Sequence, residues 1–302
     1  MNGVIPLNKE IGMTSSDYVY KLRKILHTKK IGHTGTLDPL VDGVLPICVG
    51  QSTKLVNRLT GSSKEYVGEI TLGKSTTTED REGDIVKEVK LTKPFSDEEL
   101  HEVFEKMIGE LVQIPPMYSA VRVNGKKLYE YARAGIEVER PKRQIHIYDF
   151  NIVGEPEFDT ELGIQKVKFH VTCSKGTYVR TLAVEYGEFL GVPSFMSQLT
   201  RTKSADFNIE ETFKLDEIRK MMDEDDHSFL RSTDEVLSYM QAHELSDEEW
   251  EVRVLHGGFL DLDNYDYDKD LRVTRNHVTK AIYKYNEERQ LWIPDTMLLN
   301  ND

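Results

Sequence analysis

Cysteine is nearly absent. The 302 residues hold two, Cys48 and Cys173, both inside apolar, strand-like runs. That excludes a disulfide framework and a cysteine-based zinc site, and two buried, reduced thiols of a cytoplasmic protein are expected. No apolar stretch approaches the roughly 18 residues that a membrane-crossing helix needs. The start, Met1-Asn2-Gly3-Val4-Ile5-Pro6, lacks the basic-then-apolar form of a secretory leader. Internal repeats and long low-complexity segments are missing too. So is any excess of positive charge: the net charge is −13.

That deficit is uneven. Residues 1–203 carry 28 Lys+Arg against 27 Asp+Glu, whereas residues 204–302 carry 11 against 25. The larger part is close to neutral and can hold a basic groove, because phosphate binding depends on local patches. The acidity belongs to the last third, where it suits solubility better than RNA contact.

Helix and strand signals alternate along the chain. Met13 to Asp17 offers helix caps, with Val19, Leu22, Ile25 and Leu26 following at helical spacing. Ser52 to Leu59 reads as a second short helix, Tyr66 to Leu72 as a strand, and Ser75 to Asp84 as a polar loop. Ser96 and Glu99 form a capping box that opens a helix through about Leu111. Asn124-Gly125 marks a turn, and Lys126 to Arg133 a short helix rich in Lys, Arg and Tyr. Gln144 to Val153 and Val167 to Cys173 read as strands, and Thr177 to Leu190 as an amphipathic helix. Past the acidic run Asp223 to Asp226, Glu249 to Leu260 and Leu271 to Pro294 read as short strands around Gly257-Gly258. Two domains are expected, residues 1–235 and a small acidic β-rich module over 236–302. The pattern is α+β with a mixed sheet rather than a doubly wound parallel one.

The segment richest in chemistry is Gly32-His33-Thr34-Gly35-Thr36-Leu37-Asp38-Pro39. Pro39 pushes Asp38 away from helical geometry, and the glycines permit tight turns, so the stretch reads as a shaped loop holding one acid. An acid so held can serve as nucleophile or as acid/base group. His33 can bind metal, act as a base or stack on a nucleobase, but no second His or Cys stands nearby at ligand spacing. Asp38 and Asp42 can be a paired-acid site, although Asp42-Gly43 is also a common turn pair. Gly68 through Ser75 matches the phosphate-loop letters, yet the residues between are strand-like and no helix pattern follows. Tyr178 and Arg180 stand at the start of a helix, where both can face a cleft.

Taken with Lys64-Glu65-Tyr66, Pro115 to Ala120, Cys173 to Leu182 and Leu199-Thr200-Arg201, the Asp38 segment resembles the TruB family of bacterial tRNA pseudouridine synthases over residues 3–203. The resemblance implies a largely antiparallel sheet of the pseudouridine synthase type flanked by helices, followed by a PUA-like module. It implies isomerisation of the uridine at position 55 in the tRNA T-loop. Asp38 would be the catalytic aspartate and Arg180 its counter-charge. Tyr66 would stack on the flipped uracil, Tyr178 would line the pocket, Leu199 would pack on the base, His33 would work within the T-loop, and Lys54 would lie near the site. The partner would be the tRNA T-arm stem-loop, with no metal, nucleotide or other cofactor, and the protein would act as a monomer. A competing reading is a tRNA-binding folding factor that uses the same cleft without chemistry. A carboxylate-dependent glycosidase lacks a clearly placed second acid.

Overall fold

The computed structural model describes residues 1–300. The chain separates into two compact units: one holds residues 1–39, 44–60 and those from Glu210 on, the other residues 40–43 and 61–209.

The second unit is built on an antiparallel sheet. Its strands run in the order Ser194–Ser204, Lys64–Leu72, Ile164–Cys173, Arg143–Ile152 and Gly109–Gln113. Alternation decides the faces. Lys64, Tyr66, Gly68, Ile70 and Leu72 share one side, and the register sets Arg201 and Val171 beside Tyr66, with Leu199 and Phe169 beside Gly68. The reverse side is charged: Glu65 lies 3.7 Å from His170 and 3.6 Å from Lys203. Helices Asp97–Lys106 and Val179–Phe189 cover the apolar side, with Phe104 edge-on to Phe150 at 4.5 Å and against Tyr186 at 4.4 Å. Each such ring adds about 1.5–3 kcal/mol by burial.

Two expectations change here. The helix opened by the Ser96–Glu99 box stops at Lys106, because Gly109 (φ +104°) turns the chain into the sheet's edge strand, where Leu111 pairs with Ile145. The polar loop expected over Ser75 to Asp84 is the turn of a hairpin, with its first two residues in the strand Lys74–Thr76 that pairs with Ile85–Glu88. Gly68 sits inside a strand, where a Cβ would lie 2.5 Å from the Phe169 ring, so its glycine serves packing and no phosphate loop forms. The turn at Asn124-Gly125 is as expected: both residues have positive φ between Arg122–Val123 and Lys126–Lys127.

In the first unit, Gly3–Lys9 pairs with the strand Asp42–Val49, and Ile31–His33 pairs antiparallel with its end. Helix Ser15–Ile25 opens on Thr14 with a complete capping box to Asp17 and buries Tyr18, Val19 and Leu22. Gly50–Leu55 forms a 3₁₀ turn that runs into helix Val56–Thr60. A separate four-stranded sheet follows in the order Gln241–Glu244, Leu271–Arg275, Val278–Asn286, Leu291–Met297, the first pair parallel and the others antiparallel. Its core gathers Leu245, Val254, Leu271, Val273 and Tyr283 around the fully buried Trp292, whose Nε1–H reaches the Leu262 carbonyl at 3.1 Å. Glu249 to His256, expected as strand, is helical turn instead, ended by Gly257 at φ +70°. No helix among the described residues is long and apolar enough to cross a membrane.

Candidate functional site

Asp38 lies on the loop that follows strand Ile31–His33, and it is half-buried. Both of its neighbours are pinned. Ser15 Oγ accepts the Leu37 N–H at 2.9 Å and donates to the Leu37 carbonyl at 3.2 Å, so one hydroxyl holds both ends of that residue. The Pro39 carbonyl accepts the Gly12 N–H at 2.9 Å and the buried Lys9 ammonium at 3.3 Å. Thr34, fully buried, donates its N–H to the Pro46 carbonyl at 3.1 Å. The carboxylate is therefore presented on a backbone fixed from helix, strand and loop, as a group doing chemistry requires. His33 ends the strand that leads into this loop, and its Nδ1 accepts the Gly35 N–H at 3.4 Å.

In the second unit, Tyr66 and Leu199 lie on one face of the sheet and are both buried, beside Arg201, itself 1% exposed. Tyr178 is the extended residue before helix Val179–Phe189, and Arg180 lies in that helix's first turn, 5% exposed. The guanidinium is gripped on several sides. Nη1 reaches Asp80 Oδ2 at 3.2 Å and the Thr78 carbonyl at 3.0 Å, and Nη2 reaches the Tyr118 carbonyl at 2.9 Å. Asp80 is held in turn through Oδ1 by the Thr78 hydroxyl at 2.6 Å and the Glu82 N–H at 3.0 Å. Its neighbour Glu79 takes positive φ and accepts the Thr181 hydroxyl at 2.7 Å, and burial raises its carboxyl above the usual range.

Sequence reasoning missed Asp80. It lies in a Thr- and acid-rich stretch that looks like solvated loop, and only the fold carries it to Arg180. Asp42 accepts the Thr200 hydroxyl at 2.5 Å across paired strands. Gly43 (φ +102°) leaves room for the Arg201 carbonyl, which a Cβ would approach to 2.1 Å. That dipeptide is thus accounted for by strand pairing. Lys54 is exposed and donates to the Met297 carbonyl at 2.7 Å, tying the 3₁₀ turn to the C-terminal sheet. Arg58 reinforces the tie by pairing with Asp270 and, at 3.1 Å, with Asp295. No group of three or more His, Cys, Asp or Glu suited to a metal occurs among the described residues.

Comparison with known proteins bears on these elements. The model of the family described as "TruB family pseudouridylate synthase (N terminal domain)" matches residues 23–179. The tRNA pseudouridine synthase B of Pediococcus pentosaceus is 52% identical over 300 residues, covering 99% of each chain. That of Listeria monocytogenes serotype 4b is 50% identical over 305 residues, covering 99% of this chain and 98% of its own. Among solved structures, an H/ACA RNP bound to a substrate RNA containing 2′-deoxyuridine has a chain that superposes with a TM-score of 0.71 at 21% identity, over 99% of this chain and 86% of that one. A Cbf5-Nop10-Gar1 complex gives 0.70 at 24%, over 97% and 83%. At those identities the likeness is one of fold, and it extends over the mixed sheet and the C-terminal four-stranded sheet alike.

Proposed function

The chain belongs to the TruB family of pseudouridylate synthases, and from that premise we propose that it isomerises uridine 55 in the T-loop of tRNA with Asp38 as nucleophile. Uridine isomerisation in tRNA agrees with what the relatives at about 50% identity are named for. The observation that carries the reading of Asp38 is the fixed backbone on both sides of a half-buried carboxylate, on a loop built to present it.

The reaction breaks the C1′–N1 bond, turns the uracil, and joins C5 to C1′. N1 gains a proton and C5 loses one to solvent, so no electron pair leaves the substrate and no redox partner is required. The Asp38 carboxylate adds either to C1′ or to C6 and is released as the new C–C glycosidic bond forms. Arg180, held by Asp80 and two carbonyls, supplies fixed positive charge that favours an ionised acid. Tyr66 and Leu199, sharing one apolar sheet face, suit an unstacked base, and flipping that base costs a few kcal/mol, least in a loop. Tyr66 also stands as acceptor for the C5 proton, Tyr178 lines the pocket, and His33 works within the T-loop. Lys54 contributes nearby positive charge. The protein acts in the cytoplasm as a monomer, and the acidic module over 236–302 gives only auxiliary RNA contact.

The test uses a tRNA transcript carrying [5-³H]uridine. Wild-type protein should release one tritium per tRNA, and a transcript with cytidine at position 55 should release none. Equal release from both transcripts would refute the position, and release from neither would refute the activity.

A further inference from the structure

The Pro115 to Ala120 motif resembles the family but has no role in the chemistry above. Its place in the fold suggests one. The stretch from Gln113 to Tyr118 leaves the sheet's edge strand and touches both residues at the start of helix Val179–Phe189. Gln113, 1% exposed, bonds both ends of a single residue: Oε1 accepts the Tyr178 N–H at 2.8 Å, and Nε2 donates to the Tyr178 carbonyl at 3.2 Å. A neighbouring strand would pair a residue in this way. Here a side chain does it, as Ser15 does for Leu37. Tyr178 is thereby held extended (φ −99°, ψ 103°), and it has no side-chain cap of its own. Pro115 and Pro116 stiffen the span that follows. The Arg140 guanidinium anchors the Pro115 carbonyl at 3.1 Å, and the Tyr118 carbonyl then receives Arg180. The Gln113 amide also favours the ionised form of Glu185, two turns along the same helix, against the burial that raises its carboxyl.

We propose that Gln113 is a positioning residue for the isomerisation: its amide sets the backbone of Tyr178 and, two residues on, the direction in which Arg180 enters the site. This rests on the reading of Tyr178 and Arg180 given above. Removing the amide leaves the Gln113 backbone paired with Arg143 in the edge strand, so the change is felt at the helix start rather than in the sheet.

Two variants test it, Gln113→Leu and Gln113→Glu, each compared with wild type for single-turnover tritium release, T-stem-loop affinity and melting temperature at pH 6 and pH 8.5. Misplacing a catalytic group by about 1 Å costs on the order of 100-fold. Gln113→Leu should therefore slow turnover by about 30–100-fold while affinity stays within about threefold. In Gln113→Glu, the ionised carboxylate can accept from the Tyr178 N–H but cannot donate to its carbonyl; the protonated carboxyl does both. Burial of this position and the nearby carboxyl of Glu185, on which Glu188 and Glu79 also act, favour the protonated form, with Arg143, the strand partner of Gln113, opposing. Relative to wild type, Gln113→Glu should thus recover at least about fivefold in rate between pH 8.5 and pH 6. The inference is overturned if Gln113→Leu turns over within about threefold of wild type, or if the Gln113→Glu ratio is flat with pH while losses follow the melting temperature. Wild type that releases no tritium would instead refute the activity itself.

Discussion

Asp80 gives the sharpest consequence of the geometry. Asp80→Asn keeps the size and shape of the side chain and removes its charge. In the native protein Oδ2 faces the Arg180 guanidinium at 3.2 Å while Oδ1 accepts the Thr78 hydroxyl and the Glu82 N–H. An asparagine has one acceptor for these two duties. If its oxygen stays with Thr78 and Glu82, its NH₂ is set against an N–H of Arg180; if it flips, the turn loses the Glu82 bond and the Thr78 hydroxyl must rotate to accept. A hydrogen bond to a charged group is worth about 1.5–3 kcal/mol. Breaking a buried ion pair outright costs about 3–5 kcal/mol. Arg180 and Asp80 are 5% and 6% exposed, so solvent does little to replace the bond, but the Thr78 and Tyr118 carbonyls remain on the guanidinium. The expected loss is about 2–3 kcal/mol of stability in urea unfolding. If the same energy is withdrawn from the placement of Arg180 at the transition state, about 2 kcal/mol corresponds to about 30-fold in single-turnover rate. In the double variant Asp80→Asn/Arg180→Met the two losses should not add. An Asp80→Asn protein within about 0.5 kcal/mol and twofold in rate of wild type would refute the argument.

Other consequences are independent of it. Gly43→Ala places a Cβ 2.1 Å from the Arg201 carbonyl oxygen on a left-handed backbone, so a loss above about 3 kcal/mol is expected in denaturant titration. A loss under about 1 kcal/mol would show that the strand pair yields. Burial pushes the Glu185 carboxyl up to about 7 from an ordinary 4.5, so its contribution is fully present below pH 4.5 and is lost as pH rises through 7. Glu185→Gln should flatten that part of the stability–pH curve and stabilise the protein at pH 8 by roughly a third of the full linkage energy, about 1 kcal/mol, since the group is partly solvated. Unchanged pH dependence would refute the assignment. Trp292→Ala should loosen the C-terminal sheet by about 3–5 kcal/mol, read as faster hydrogen exchange over Leu271–Met297. Turnover on a T-stem-loop should stay within about threefold, and a larger drop would give the module a greater part in RNA binding.

Local signals were legible where one short segment decides the outcome. The helix caps within Met13 to Asp17, the capping box at Ser96, the Asn124-Gly125 turn and the strand from Tyr66 to Leu72 all carry their own cause. The Asp38 segment was legible as a loop for the same reason, since Pro39 and the glycines keep it out of a helix. What stayed hidden depends on partners far along the chain. The helix ending at Lys106 is cut short by an edge strand whose register comes from Arg143–Ile152. Asp80 reads as loop until Arg180, a hundred residues on, is placed against it. Gln113 carries no motif of its own, and its role appears only with the backbone of Tyr178 beside it. Glu249 to His256 reads as strand because its apolar spacing suits a strand as well as the helical turn it forms.

The central claim is that one carboxylate performs the isomerisation. Asp38→Asn keeps the loop's anchors at Leu37 and Pro39, which use backbone atoms only. Tritium release from a [5-³H]uridine T-stem-loop should fall below detection while the stem-loop still binds within about threefold of wild type. Release at the wild-type rate by Asp38→Asn would contradict the account and leave a protein that binds tRNA without this nucleophile.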